Sequence, residues 1–230
     1  MKFPDAVDSV IKKAQESLFS AVPKDEVLAL YLKGSQVHGL TNEKSDVDFV
    51  AILKTEKYLL DVYRVSKTTG PTTVPPYSIS AYILNELQTG NLAPNRPPIP
   101  GVSRFVKHLD HLALIYGVRP EEPLFRRSDA KDLEVNVRNF YNLYLPGYEN
   151  KSFGFSDVIK QVLWLAEAEA RVLGATVAHS WQDSVAALPQ AHIAHEALQY
   201  RVSGDPSPEK QNEFIERLKA HLNALGTPTS

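Results

Sequence analysis

The chain has 230 residues, 43% apolar and 23% charged, which allows a packed core in one large domain or two modest ones and excludes global disorder. Its 25 Lys and Arg against 27 Asp and Glu leave a net charge of −2, without the basic field of a duplex nucleic-acid binder. The absence of cysteine excludes disulfides, thiolate nucleophiles and cysteine-based zinc sites.

The first residues, Met1 to Asp5, lead into a mixed-charge stretch rather than the apolar segment of a signal peptide. No run reaches the ~18 apolar residues of a membrane span, so a cytoplasmic protein without a membrane partner is expected. Val7, Val10, Ile11, Ala14 and Leu18 recur at helical spacing, which predicts an amphipathic helix over 5–20. Val27 to Leu32 reads as a buried strand ending at Lys33-Gly34-Ser35. A polar turn, Thr41 to Ser45, precedes a second strand from Asp46 to Leu53. A helix is predicted over 55–66, broken by Thr68 to Pro71, and a third strand over Tyr77–Leu84. The proline-rich stretch from Pro94 to Pro100 follows. Beyond it the pattern predicts helices only, at 104–116, 129–144, 156–173, 180–200 and 207–224.

Chemistry concentrates where strands one and two end and begin. Alternation along a strand sends Asp46 and Asp48 to one side and Val47 and Phe49 into the core. Two carboxylates side by side repel unless a hard cation lies between them, and oxygen donors of this kind suit Mg²⁺. Gly34 lets a phosphate approach the backbone, and Ser35 adds a hydroxyl beside the N–H groups of the turn. A phosphate cradle beside paired acids is a layout for phosphoryl transfer with two metal ions. The pairs His108/His111 and His192/His195 have helical spacing but read as surface or half-buried histidines. Arg126-Arg127 beside Lys131 reads as a solvated domain junction.

The string Leu30-Tyr31-Leu32-Lys33-Gly34-Ser35, with Ser45-Asp46-Val47-Asp48-Phe49 after a gap of ten residues, resembles the signature of the DNA polymerase β-type nucleotidyltransferases. Within that superfamily it is most similar to the streptomycin/spectinomycin adenylyltransferases. His108 to Gly117 and Glu121 to Phe125 resemble the end of that family's catalytic domain. Val162 to Gly174 and Ala186 to Pro189 resemble its helical domain. The resemblance implies an α+β fold with two domains. Residues 1–126 would form a nucleotidyltransferase domain, a small mixed sheet flanked by helices. Residues 127–230 would form a helical domain that binds the acceptor, with ATP and Mg²⁺ held in a cleft between the two.

The activity implied is transfer of a nucleoside monophosphate, AMP from ATP, to a hydroxyl of a small molecule, possible acceptors including aminoglycoside-like compounds. Asp46 and Asp48 would hold two Mg²⁺ ions; Gly34, Ser35 and Ser45 would contact the nucleotide. The family's triphosphate-binding lysine falls at His179, and its drug-reading acid at Asp157. Its third carboxylate, a metal ligand or base, falls at Ser78, which is neither an anion nor a base. Glu86, near in sequence, or Asp61 would then substitute. The other readings are a catalytically silent nucleotide-binding, sensing or partner-binding protein on this scaffold, and a transferase acting on a protein or tRNA.

Overall fold

The computed structural model describes residues 5–33, 46–94, 96, 101–176 and 180–226. The chain divides into two compact units, Met1–Arg126 and Arg127–Ser230.

In the first unit α1 (Asp5–Ala21) leads to β1 (Val27–Lys33). Then come β2 (Val47–Leu53), α2 (Leu59–Thr68), β3 (Tyr77–Ile83), α3 (Leu84–Thr89), α4 (Val102–His108) and β4 (Ala113–Gly117). The four strands form one sheet in the order β3-β2-β1-β4. β1 is antiparallel to β2 and β4, whereas β2 and β3 are parallel, with α2 as the crossover between them.

Alternation splits the sheet cleanly. Leu30, Leu32, Val47, Phe49, Ala51 and Ile79 pack with Val10, Ala14 and Leu18 of α1 and Leu59 and Val62 of α2. Ala29, Tyr31, Val50, Ile52 and Tyr82 face the other way, onto Leu87 of α3 and Val102, Phe105 and Val106 of α4. Both faces are covered, so the strands are almost continuously apolar.

The helical reading of 104–116 is corrected. Helix α4 ends at His108, and Ala113–Gly117 is a strand paired with β1. A short apolar run such as Leu112 to Tyr116 carries no period that separates helix from strand; the open edge of β1 decides it. Gly117 ends this strand at φ 79°, where an added Cβ would lie 2.0 Å from the Leu28 carbonyl oxygen. The first unit runs on past the proline-rich stretch to Arg126.

The second unit is all-helical among its described residues: α5 (Asp129–Asn139), α6 (Leu145–Glu149), α7 (Phe155–Val172), α8 (Trp181–Ala186), α9 (Ile193–Ser203) and α10 (Pro208–Leu225). Its core runs along α7, where Val158, Ile159, Val162, Leu163 and Ala166 pack with Phe214, Leu218 and Leu222 of α10. Two long helices of the sequence reading are interrupted. The first passes through a π-turn at Phe140–Tyr144 just ahead of Pro146, which has no N–H to give the α-helical ladder. The second breaks into α8 and α9 around Pro189.

Candidate functional site

Asp48 is the second residue of β2 and points to the face opposite Val47 and Phe49, whose side chains are wholly buried. It is half-buried. In the parallel pairing its partner is Ser78, and in the antiparallel pairing it is Lys33. The Ser78 hydroxyl donates to Asp48 Oδ1 at 2.6 Å. One residue pair along β3, the Ser80 hydroxyl donates to the Phe49 carbonyl at 3.3 Å. The ladder begins one residue earlier, where Val47 N–H donates to the Pro76 carbonyl at 2.9 Å. Asp46 stands immediately before β2 and is exposed, with no hydrogen-bond partner among the described residues.

This end of the sheet therefore offers carboxylate oxygens that the described residues leave largely unspent. Asp48 uses one oxygen on Ser78, and Asp46 uses none among the described residues. Hard, anionic oxygen donors of this kind fit Mg²⁺.

Ser78, expected at the third acidic position, lies directly beside Asp48 in the parallel pair. Neither proposed substitute reaches it. Glu86 is 0% exposed, and its carboxylate accepts from the N–H groups of Ile83 at 3.0 Å and Ala93 at 2.7 Å and from the Arg96 guanidinium. It fastens the start of α3 and the chain beyond that helix, a structural role in place of the expected substitution at the site. Asp61 is on α2, which packs on the sheet face opposite Asp48, and it pairs with Arg64 at 2.8 Å.

Gly34, Ser35, Ser45 and His179 lie outside the described residues. Asp157 is exposed in the first turn of α7, where its Oδ2 accepts the Gly154 N–H at 2.9 Å. It caps that helix. The Arg126-Arg127 knot is paired: Arg126 with Glu122 at 2.7 Å and Arg127 with Asp132 at 2.9 Å.

Two features escaped the sequence reading. Lys33 lies straight across from Asp48, a placement implied by the period-two pattern Ala29, Tyr31, Lys33 once the β1–β2 register is known. Glu169, His192 and His221 meet inside the second unit from distant points in the chain, and no local spacing signals it.

No family model and no curated protein matches the sequence. Among solved structures the chain is similar to the spectinomycin adenyltransferase AAD(9) from Enterococcus faecialis, solved with ATP and spectinomycin. The TM-score is 0.53 at 16% identity, over 96% of this chain and 100% of that one. The likeness is one of fold.

Proposed function

We propose that this chain is a nucleotidyltransferase that moves AMP from ATP to a hydroxyl of a small molecule. The observation that carries the reading is Asp48, a half-buried acid at the head of a central strand, with the largely unspent Asp46 two residues before it. A fold shared with an adenyltransferase adds support.

Asp46 and Asp48 are assigned to hold the Mg²⁺ that accompanies the triphosphate; bound there, the ion neutralises phosphate charge. Two carboxylates match the charge of one divalent ion, and a second ion would draw further donors from the nucleotide itself. Gly34, Ser35, Ser45 and His179 are assigned to the nucleotide by the resemblance alone. Acceptor recognition, with Asp157, is assigned to the helical unit on the same ground.

Ser78 sets the rate. At neutral pH it cannot remove the acceptor's proton, and a missing general base lowers a rate by about 10²–10⁴-fold. Phosphoryl transfer through a loose transition state depends chiefly on positioning and charge stabilisation, so slow turnover survives that loss. The same serine favours a second reading, a nucleotide sensor that binds ATP without transferring it.

The test is calorimetric titration of ATP with Mg²⁺ into the wild type and the Asp46→Asn/Asp48→Asn variant, with labelled-ATP transfer assays over a panel of hydroxyl acceptors. Binding lost in the variant, with pyrophosphate released by the wild type, supports the transferase. Equal binding by both proteins removes the site assignment. Binding without pyrophosphate release supports the sensor.

A further inference from the structure

We infer that Glu169, His192 and His221 form a binding site for a divalent transition-metal ion of the zinc class, separate from the Asp46/Asp48 site and independent of the nucleotide reading. The three come from three points of the helical unit: Glu169 from the last turn of α7, His192 from the N-cap of α9, and His221 from the last turns of α10. One ligand atom from each lies within 4.8 Å of the others.

The geometry is convergent. His192 Nε2 is 3.1 Å from Glu169 Oε2, and His221 Nε2 is 3.0 Å from Oε1. Two ligands at about 2.1 Å from a zinc ion, at the tetrahedral angle, stand roughly 3.4 Å apart, so each of these contacts opens by a few tenths of an ångström to admit the ion. The imidazoles cross edge to face, at 85°, with centroids 4.6 Å apart, and each turns its Nε2 to one of the two carboxylate oxygens. One oxygen donor and two imidazoles suit a borderline ion; Mg²⁺ and Ca²⁺ prefer oxygen alone.

Charge points the same way. The Glu169 side chain is 9% exposed, and its partners among the described residues are the two histidines, with no Lys or Arg. With no Lys or Arg beside it among the described residues, the buried carboxylate offers negative charge that a divalent ion balances. The His221 side chain is 21% exposed, which gives an ion an entry path and a water a place as fourth ligand.

The competing account is a metal-free clamp in which both rings donate Nε2–H to the carboxylate. His192 Nδ1 accepts the Ala194 N–H at 3.1 Å, so without metal its ring proton sits on Nε2. Metal binding shifts that proton to Nδ1 and forfeits one neutral cap bond, a small loss beside three metal–ligand bonds.

The experiment uses tag-free, chelator-stripped full-length protein without nucleotide, titrated with Zn²⁺ by calorimetry and with Co²⁺ by visible absorption. One equivalent of each is expected to bind, with visible d–d bands for Co²⁺ and a Zn²⁺-dependent rise in melting temperature. His221→Gln keeps an N–H that can reach Glu169 but removes a ligand, and is expected to bind at least ~10-fold more weakly. His108→Ala/His111→Ala is expected to bind as the wild type does. No stoichiometric binding by the wild type, or equal binding by folded His221→Gln and Glu169→Gln variants, overturns the site and leaves the clamp.

Discussion

The Ser78 hydroxyl donates to Asp48 Oδ1 at 2.6 Å, between residues that face each other in the parallel β2–β3 pair. The neutral serine occupies one of the two Asp48 carboxylate oxygens.

Ser78→Asp is expected to place two carboxylates side by side and make the protein's stability depend on Mg²⁺. Without the ion the like charges repel and the melting temperature falls; with it the loss is recovered. If the new acid acts as a base, transfer rises by as much as about 10²–10⁴-fold. Ser78→Ala removes one hydrogen bond and costs about 1 kcal/mol. Thermal melts with and without Mg²⁺, alongside labelled-ATP turnover, check both variants.

Glu86 and Arg96 form an ion pair with side chains 1% and 6% exposed. Glu86→Ala removes one acceptor of the guanidinium, which keeps the Ala81 carbonyl, and the acceptor of the Ile83 and Ala93 N–H groups, so a loss of about 3–5 kcal/mol is expected in urea unfolding. A variant that unfolds at the wild-type midpoint would contradict this structural role.

Gly117→Ala is expected to destabilise the β1–β4 edge by more than the ~1 kcal/mol of a simple conformational penalty. The new methyl would stand 2.0 Å from the Leu28 carbonyl oxygen, at a backbone φ of 79°. Hydrogen exchange should show faster opening at β4 than at β2–β3.

The Glu122 carboxyl is lowered to about 2, first by its bond to Arg126 and then by the Leu124 N–H. A depressed folded pKa stabilises above the unfolded carboxylate value of about 4.3, and that contribution disappears as pH falls toward 2. The pair is exposed, so its share of stability is small. The direct check is an NMR titration of the Glu122 carboxyl, in which Arg126→Ala should move the midpoint upward.

The sequence by itself determined much of the first unit. Apolar runs ending at Lys33 and starting at Val47 became β1 and β2, and period two alone sent Asp48 away from the core that takes Val47 and Phe49. These are local consequences of backbone geometry, which a window of eight residues contains. The starts of α5, α8 and α10 were also legible, falling within one residue of the expected 129, 180 and 207.

Tertiary structure decided what depends on pairing across long stretches of chain. It turned Ala113–Gly117 into a strand because β1 had an open edge, and it set Ser78 beside Asp48 across thirty residues of sequence. It buried Glu86 on Arg96 and placed α2, with Asp61, behind the sheet. It gathered Glu169, His192 and His221 from three helices. Register, the face a helix covers and the partner of a buried charge are fixed by packing energies summed over the fold. No single segment carries them.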